Sequence, residues 1–286
     1  MDSDEGRDQM SKLKGKVAFI TGAARGQGRS HAQRLAADGA DIVAVDICAD
    51  TETVPYPLGT ADELAETAAL VEKAGRRCLT ATADVRSLEQ LDAAVALAKE
   101  SFGKIDILVS NAGIWSSSTE SWTLDEETWQ TMIDINLTGQ WKTAKAVVPT
   151  MIEGGNGGAI TITSSSIGLK ATAGNVHYTS AKHGVIGLVR TLAHELAPHD
   201  IRVNAVCPTA VRSMMITNDS LYSLFRPDLD SPSLADAEPP LAELNMLDVS
   251  LLEPEDVSAA ISWLVSDDAR YVTGIALPVD AGSTAK

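Results

Sequence analysis

The chain has 286 residues, and 39 acidic against 23 basic side chains leave a net charge of −16. That balance excludes nucleic acid as a main partner, since phosphate contacts need clustered cations, and it disfavours anionic membrane surfaces. Cys48, Cys78 and Cys207 are scattered without a CxxC pair, so neither a disulfide framework nor a zinc site is expected, and a reducing cytoplasm fits.

In chain order, the polar, acidic residues 1–12 read as a disordered tail with no apolar signal region. Residues 16–21, KVAFIT, form a short apolar, β-branched run expected to be a buried strand. A glycine-rich turn and a helix ending at Gly39 follow, then a second strand over 40–46. Residues 47–60 hold two prolines and a glycine and read as a loop, before a helix over 61–75 and a third strand ending near Asp84. A helix begins at the N-cap Ser87, with Gln90 in the capping-box position. Residues 105–113 form a strand entering a turn. A long helical stretch from Leu124 to Glu153 has an expected break at Asn136–Gly139. A strand over 157–166, a helix over 176–198 stopped by Pro198, and a strand over 201–208 come next. Residues 212–245 read as irregular, followed by a helix over 253–266 and a last strand over 274–280.

Strands alternating with helices predict an α/β fold: a Rossmann-type, doubly wound parallel sheet of about seven strands with helices on both faces, in three layers. Length alone suggests about two domains. No repeat or linker divides the sequence, so a single domain over 13–286 is expected. No run of apolar residues approaches the ~20 of a membrane span.

Two patterns carry chemistry. Thr21-Gly22-Ala23-Ala24-Arg25-Gly26-Gln27-Gly28 stands between the first strand and its helix. Its glycines permit a tight turn that brings backbone N–H groups to a pyrophosphate at the helix N-terminus. The spacing is GxxxGxG rather than GxGxxG. Asp46 ends the second strand, where a carboxylate can accept from ribose hydroxyls and repel a 2′-phosphate, which favours NAD over NADP. Arg25 argues weakly the other way. Separately, Tyr178 and Lys182 lie four apart on one helix face, with Ser165 thirteen residues upstream at a strand end.

Taken together, TGAARGQG at 21–28, Asp84-Val85, Ser110 to Gly113, Asn136, Ser165, Tyr178 with Lys182, and Pro208 resemble the short-chain dehydrogenase/reductase family over residues 14–282. The resemblance implies NAD as cofactor and assigns roles residue by residue. Tyr178 is the general acid/base, its phenol brought toward working pH by the Lys182 ammonium and a positive nicotinamide. Lys182 also holds the nicotinamide ribose, Ser165 holds the substrate oxygen, and Asn136 anchors a water. Asp84 and Val85 flank the adenine, while Ile47 joins Asp46 at the adenosine side. Asn111, Ala112 and Gly113 line the cleft with the glycine turn, and Pro208, Val211 and Ser213 approach the carboxamide. The 13-residue spacing selects Ser165 over Ser164 and Ser166.

Three positions depart from the family pattern: Ser110 in the NNAG run, Thr209 after Pro208, and Ala281 in the terminal VDGG. A larger departure is the insertion at 47–75. Its YPLGTADELAET stretch, with TGAARGQGRSHA and VDIC, resembles the actinobacterial branch related to carveol dehydrogenase and described as mycofactocin-coupled. That branch implies tightly held NAD reoxidised by a separate redox carrier. Residues 47–60 are expected to fold over the adenosine side.

The apolar residues of 212–245, Met214, Met215, Ile216, Leu221, Tyr222, Leu224, Phe225 and Leu241, together with Met246, suit a lipophilic alcohol or ketone. Trp115 and Trp122 are candidates for the same pocket, His177 and His183 read as ordinary helix residues, and no cluster argues for a metal. The family implies a homotetramer built on the helices around 126–153 and 176–197. The expected activity is NAD-dependent interconversion of a secondary alcohol and a ketone. A 3-oxoacyl-carrier-protein reductase is the alternative, opposed by Asp46 and by the chain's acidity. A non-catalytic NAD-binding scaffold or sensor is opposed by the complete Asn136, Ser165, Tyr178 and Lys182 set.

Overall fold

The computed structural model describes residues 12–116 and 120–286. The expected tail therefore lies outside the described residues, except for Lys12. Seven strands form one sheet: β1 (Val17–Thr21), β2 (Asp41–Asp46), β3 (Cys78–Thr82), β4 (Ile107–Ser110), β5 (Gly158–Thr163), β6 (Ile201–Pro208) and β7 (Ala276–Val279). Their order is β3-β2-β1-β4-β5-β6-β7 and every pairing is parallel. The order reverses between β1 and β4, the point where an open parallel sheet leaves a crevice at its strand ends.

Alternation along each strand sends side chains to two separate cores. Val17 and Phe19 of β1 and Val43 and Val45 of β2 enter one. Ala18 and Ile20, with Ile42 and Ala44, enter the other. The first core is covered by α3 (Leu88–Phe102), α5 (Gly139–Gly154) and α6 (Val176–Leu196), through residues such as Leu91, Val147 and Val185. The second is covered by α1 (Gly26–Ala37), α2 (Ala61–Lys73) and α9 (Pro254–Val265), through Leu35, Val71 and Ile261. Fully burying each such side chain stabilises the fold by roughly 1.5–3 kcal/mol, so the three-layer arrangement follows from the apolar strands themselves.

Register brings the site together. Thr21 lies beside Val45, and Asp46 beside Thr82, so β1, β2 and β3 finish at one level. The glycine turn, Asp46 and the Asp84 loop leave from that edge.

Several expectations are corrected. Ser87 caps α3 by accepting from the Gln90 N–H, but the Gln90 side-chain carbonyl accepts from Asp84 N–H at 2.8 Å instead of completing a capping box. The break at Asn136–Gly139 is a π-helical turn, Asp134–Thr138, joining α4 (Glu126–Ile133) to α5. The 176–198 helix ends at Leu196, with Pro198 inside the following 3-10 turn. Residues 212–245 are not wholly irregular: they hold α7 (Asp219–Phe225), capped by Asn218, and α8 (Leu234–Ala242), started by a Ser233–Asp236 capping box. Pro239 and Pro240 concealed α8, because each removes a ladder N–H. Leu221, Ala237 and Leu241 bury the inner sides of these short helices.

Candidate active site

The first cleft opens above β1 and β2. Gly22 and Gly26 have φ of +67° and +54°, the left-handed region that a side chain disfavours. A Cβ at residue 28 would lie 1.9 Å from the Gly22 carbonyl oxygen, so only glycine closes this turn. The Asp46 carboxylate is fixed by two backbone donors, Ala24 N–H at 3.0 Å and Cys48 N–H at 3.1 Å. Gly22, Arg25, Gly26, Gln27, Gly28, Asp46, Ile47, Asp84, Val85, Asn111, Ala112, Gly113 and Ser213 all line this one cleft. The Asp84 carboxylate itself pairs with Arg86 at 2.7 Å, so its loop meets the cleft while its charge is neutralised.

The arrangement suits a dinucleotide on three counts. The glycine turn is a backbone cradle at a helix N-terminus, Asp46 offers acceptor oxygens, and the buried Gln27 Oε1 has no hydrogen-bond partner in the protein.

Sequence reasoning missed how much of the cleft the insertion supplies. Thr51, Tyr56, Leu58 and Gly59 all line it. A Cβ at Gly59 would lie 3.0 Å from Asp46 Oδ1 and 2.8 Å from the Ala24 Cβ, so the loop passes directly against the turn. Arg25 donates to the Pro57 carbonyl and lies 4.0 Å from Glu63, which makes it a tie to the insertion. Tyr56 is buried, and its hydroxyl accepts from Trp115 N–H at 2.9 Å. The PYPLG run between Asp46 and Thr60 was the available signal.

A second cavity of about 390 Å³ adjoins the first and contains Ser165, Tyr178, Lys182, Pro208 and Val211. Tyr178 and Lys182 are buried on α6, with the lysine Nζ 5.5 Å from the tyrosine ring centre. Lys182 donates to the Thr163 carbonyl at 2.9 Å, and burial lowers its ammonium to about 8. Burial pushes the Tyr178 phenol up to about 12, against a hydrogen bond to Ser165 that pulls it down. In the protein without dinucleotide, desolvation outweighs the polar neighbours. Ser165 Oγ accepts from Ile167 N–H at 3.2 Å, while Ser164 Oγ donates to the Lys182 carbonyl, a purely structural bond.

Asn136 lies in the π-turn and is fully buried. Its Oδ1 accepts from Ile114 N–H at 2.9 Å and its Nδ2 donates to Ile114 O at 2.8 Å. Its Nδ2 also reaches Met132 Sδ at 2.8 Å, so the side chain fixes the Gly113–Ile114 loop to the π-turn. A Cβ at Gly113 would stand 3.0 Å from Asn136 Oδ1 and 3.6 Å from Lys182 Nζ; the loop is held directly against Lys182.

The cavity walls are largely apolar and include Trp115, Met215, Ile216, Leu221, Leu224, Phe225 and Leu241. Met214 lines the first cleft instead. Trp115 anchors its indole N–H on Asn175 Oδ1 at 3.0 Å. Trp122 is 84% exposed and takes no part. Met246, expected near the pocket, is exposed. His177 bonds Ser116, and His183 bonds the Thr179 carbonyl; both are ordinary helix residues. Thr209 does not adopt a positive φ, so the loss of glycine after Pro208 leaves that backbone unstrained; Ala281 does, at +51°. Among the described residues no group of His, Cys, Asp and Glu could hold a metal, and no helix is long and apolar enough to cross a membrane.

Comparison with known proteins agrees with this geometry. The short chain dehydrogenase family model matches residues 16–221. A (-)-trans-carveol dehydrogenase of Rhodococcus erythropolis is 52% identical over 277 residues, covering 97% of this chain and 100% of that protein. The crystal structure of a carveol dehydrogenase from Mycobacterium avium in complex with NAD superposes with a TM-score of 0.95 at 52% identity, over 96% of this chain and 100% of that one. A short chain dehydrogenase from Mycobacterium paratuberculosis bound to NAD gives a TM-score of 0.88 at 42% identity, over 96% and 100% of the two chains.

Proposed function

This chain belongs to the short chain dehydrogenase family, and from that premise we propose that it is an NAD-dependent oxidoreductase interconverting a lipophilic, carveol-like secondary alcohol and its ketone. The observation that carries the reading is the junction of the two clefts, where Tyr178, Lys182 and Ser165 stand between a dinucleotide cradle and an apolar cavity.

Bound NAD supplies the hydride acceptor. Ser165 holds the substrate hydroxyl by hydrogen bonding, and Tyr178 removes its proton as the carbonyl forms. The Lys182 ammonium favours the phenolate electrostatically and donates to the nicotinamide ribose. Asn136 is a positioning residue: by holding Ile114 it fixes Gly113 beside Lys182. Asp46 accepts from the adenosine ribose hydroxyls and disfavours a 2′-phosphate, while Ile47, Asp84 and Val85 bound the adenine side. Pro208, Val211 and Ser213 approach the carboxamide. The apolar lid of α7 and α8 excludes water and accepts the hydrocarbon.

In this reading the insertion retains the dinucleotide. Tyr56 and Gly59 lie over the cleft, and the loop is tied down by Arg25 and by Trp115 N–H. Slow release in turn calls for a redox carrier that reoxidises bound NADH in place. Trp129 and Trp141, left partly exposed on α4 and α5, support a homotetramer packed on those helices.

Native mass spectrometry of the purified protein tests for retained NAD, followed by oxidation of carveol with an artificial electron acceptor. Tyr178→Phe is expected to lower kcat by about 10²–10⁴-fold, the usual contribution of a general acid/base. Equal turnover by wild type and variant would remove Tyr178 from the chemistry. Fast turnover on free NAD without any bound NAD would remove the retention.

A further inference from the structure

The substrate cavity is electrostatically unlike the rest of the chain. Among the described residues no acidic side chain lines its wall, and the two charged groups that do are Lys170 and Lys182. Lys182 is accounted for by Thr163 and Tyr178. Lys170 has no place in the reaction. It stands five residues beyond Ser165, just past the turn Ser166–Gly168.

The Lys170 ammonium donates to the carbonyl and hydroxyl of Ser283, the latter at 2.8 Å. Both acceptors are neutral and both belong to one residue. Among the described residues no carboxylate lies within ion-pair distance of it. An ammonium has three donors, so one donor has no protein partner at the cavity wall. Tying down the C-terminal segment needs no charge at all, and Lys170 is half-buried beside a cavity wall that carries no carboxylate among the described residues. A positive charge with a free donor at that place is what an anionic group on the ligand would meet.

We propose that Lys170 is a specificity residue that makes the cavity select alcohols and ketones bearing a carboxylate at the end remote from the reacting carbon. The proposal rests on the alcohol–ketone reading above and departs from its carveol-like substrate in one respect, the added carboxylate. Met215, Ile216 and Phe225 take the hydrocarbon between the two polar ends, Ser165 and Tyr178 hold the reacting oxygen, and Lys170 pairs with the carboxylate. Charge-assisted pairs of this kind are roughly twice as strong as neutral hydrogen bonds.

The test uses two alcohols sharing a ring: cyclohexanol, and hydroxycyclohexanecarboxylate with hydroxyl and carboxylate on opposite ring carbons. For the wild type, kcat/KM with an artificial electron acceptor is expected to favour the acid by about tenfold or more, mostly through KM. Lys170→Met should bring that ratio close to one, Lys170→Arg should restore it, and Ser283→Ala should retain it. A wild-type ratio near one overturns the proposal, as does loss of the ratio in Ser283→Ala, which would make Lys170 a mere tie for the C-terminal segment. If neither alcohol is oxidised, the alcohol–ketone reading fails separately. Calorimetric titration of the hydroxy acid then still decides for Lys170: binding to wild type and not to Lys170→Met sustains the carboxylate site, and equal binding overturns it.

Discussion

Replacing Lys182 with methionine should abolish turnover and yet stabilise the fold at neutral pH. Burial lowers the Lys182 ammonium from 10.5 to about 8, while the unfolded chain keeps the ordinary lysine value. Between about pH 8 and 10.5 the unfolded state therefore holds a proton that the folded state has released, so stability rises with pH through that window. Below it the folded protein carries the full cost of a buried ammonium. At about 1.4 kcal/mol per pH unit that cost is about 3 kcal/mol. Lys182→Met removes it at similar side-chain volume but forfeits the bond to the Thr163 carbonyl at 2.9 Å, about 1 kcal/mol. The net gain near neutrality is about 2 kcal/mol, a rise in Tm of roughly 5 °C for a domain of this size. The assay is thermal unfolding of both proteins, stripped of dinucleotide because ligand binding adds its own stability, at pH 7 and pH 10. At pH 10 the folded wild type has already lost the proton and the advantage should nearly vanish. A variant less stable than wild type at pH 7, or an advantage identical at both pH values, would refute the reasoning.

Asp46→Asn keeps an acceptor for Ala24 N–H but removes the charge, so the preference for NAD over NADP in kcat/KM should fall about tenfold or more; an unchanged ratio would place the discrimination elsewhere. Tyr56→Phe strips the acceptor from the buried Trp115 N–H, at about 1–3 kcal/mol, and stopped-flow NADH fluorescence should show release accelerated about tenfold. Unchanged release with a lowered Tm would separate the insertion from retention. Ala281→Gly relieves a left-handed side-chain position at φ +51°, worth roughly 1–2 kcal/mol less glycine's own entropic cost of about 0.5–1 kcal/mol. The urea midpoint should therefore rise, and a fall would mean the alanine methyl contributes packing.

What the sequence made legible was whatever depends on local period and spacing. The buried strands announced themselves as β-branched runs, and Tyr178 with Lys182 could be placed on one helix face because four residues make one turn. The glycine turn and Asp46 were readable because each ends a strand whose neighbour was also readable, and parallel register then brings the two ends level. Contacts between distant segments were not readable. Tyr56 is 59 positions from Trp115, and nothing in either segment marks their bond. Asn136 was found by the family resemblance, but its partner Ile114, 22 positions away, emerged only where the π-turn meets the loop after β4. Helix α8 was hidden by two prolines whose missing donors a nine-residue helix can spare. For the tyrosine, sequence names the charged neighbour and not the depth of burial, and in the protein without dinucleotide burial is the larger cause.

Charge distribution brings these strands of argument to one place. Of the net −16, −5 falls on residues 49–75 and −8 on residues 212–257, the insertion and the region around the lid. An acidic lid over a cavity that takes an anionic ligand looks contradictory until distance and dielectric are compared. Exposed carboxylates act through water, where at physiological ionic strength their influence falls off over about 8 Å, and at 4 Å a pair of unit charges is worth about 1 kcal/mol. Lys182 is buried and Lys170 partly so, and at an effective dielectric near 20 the same separation is worth about 4 kcal/mol. The outer charge thus governs encounter and solubility, while the inner lysines govern what stays in the cavity. The insertion and lid can vary their acidity without altering the chemistry, because Asp46, which we propose meets the dinucleotide ribose, is buried and fixed by two backbone N–H groups.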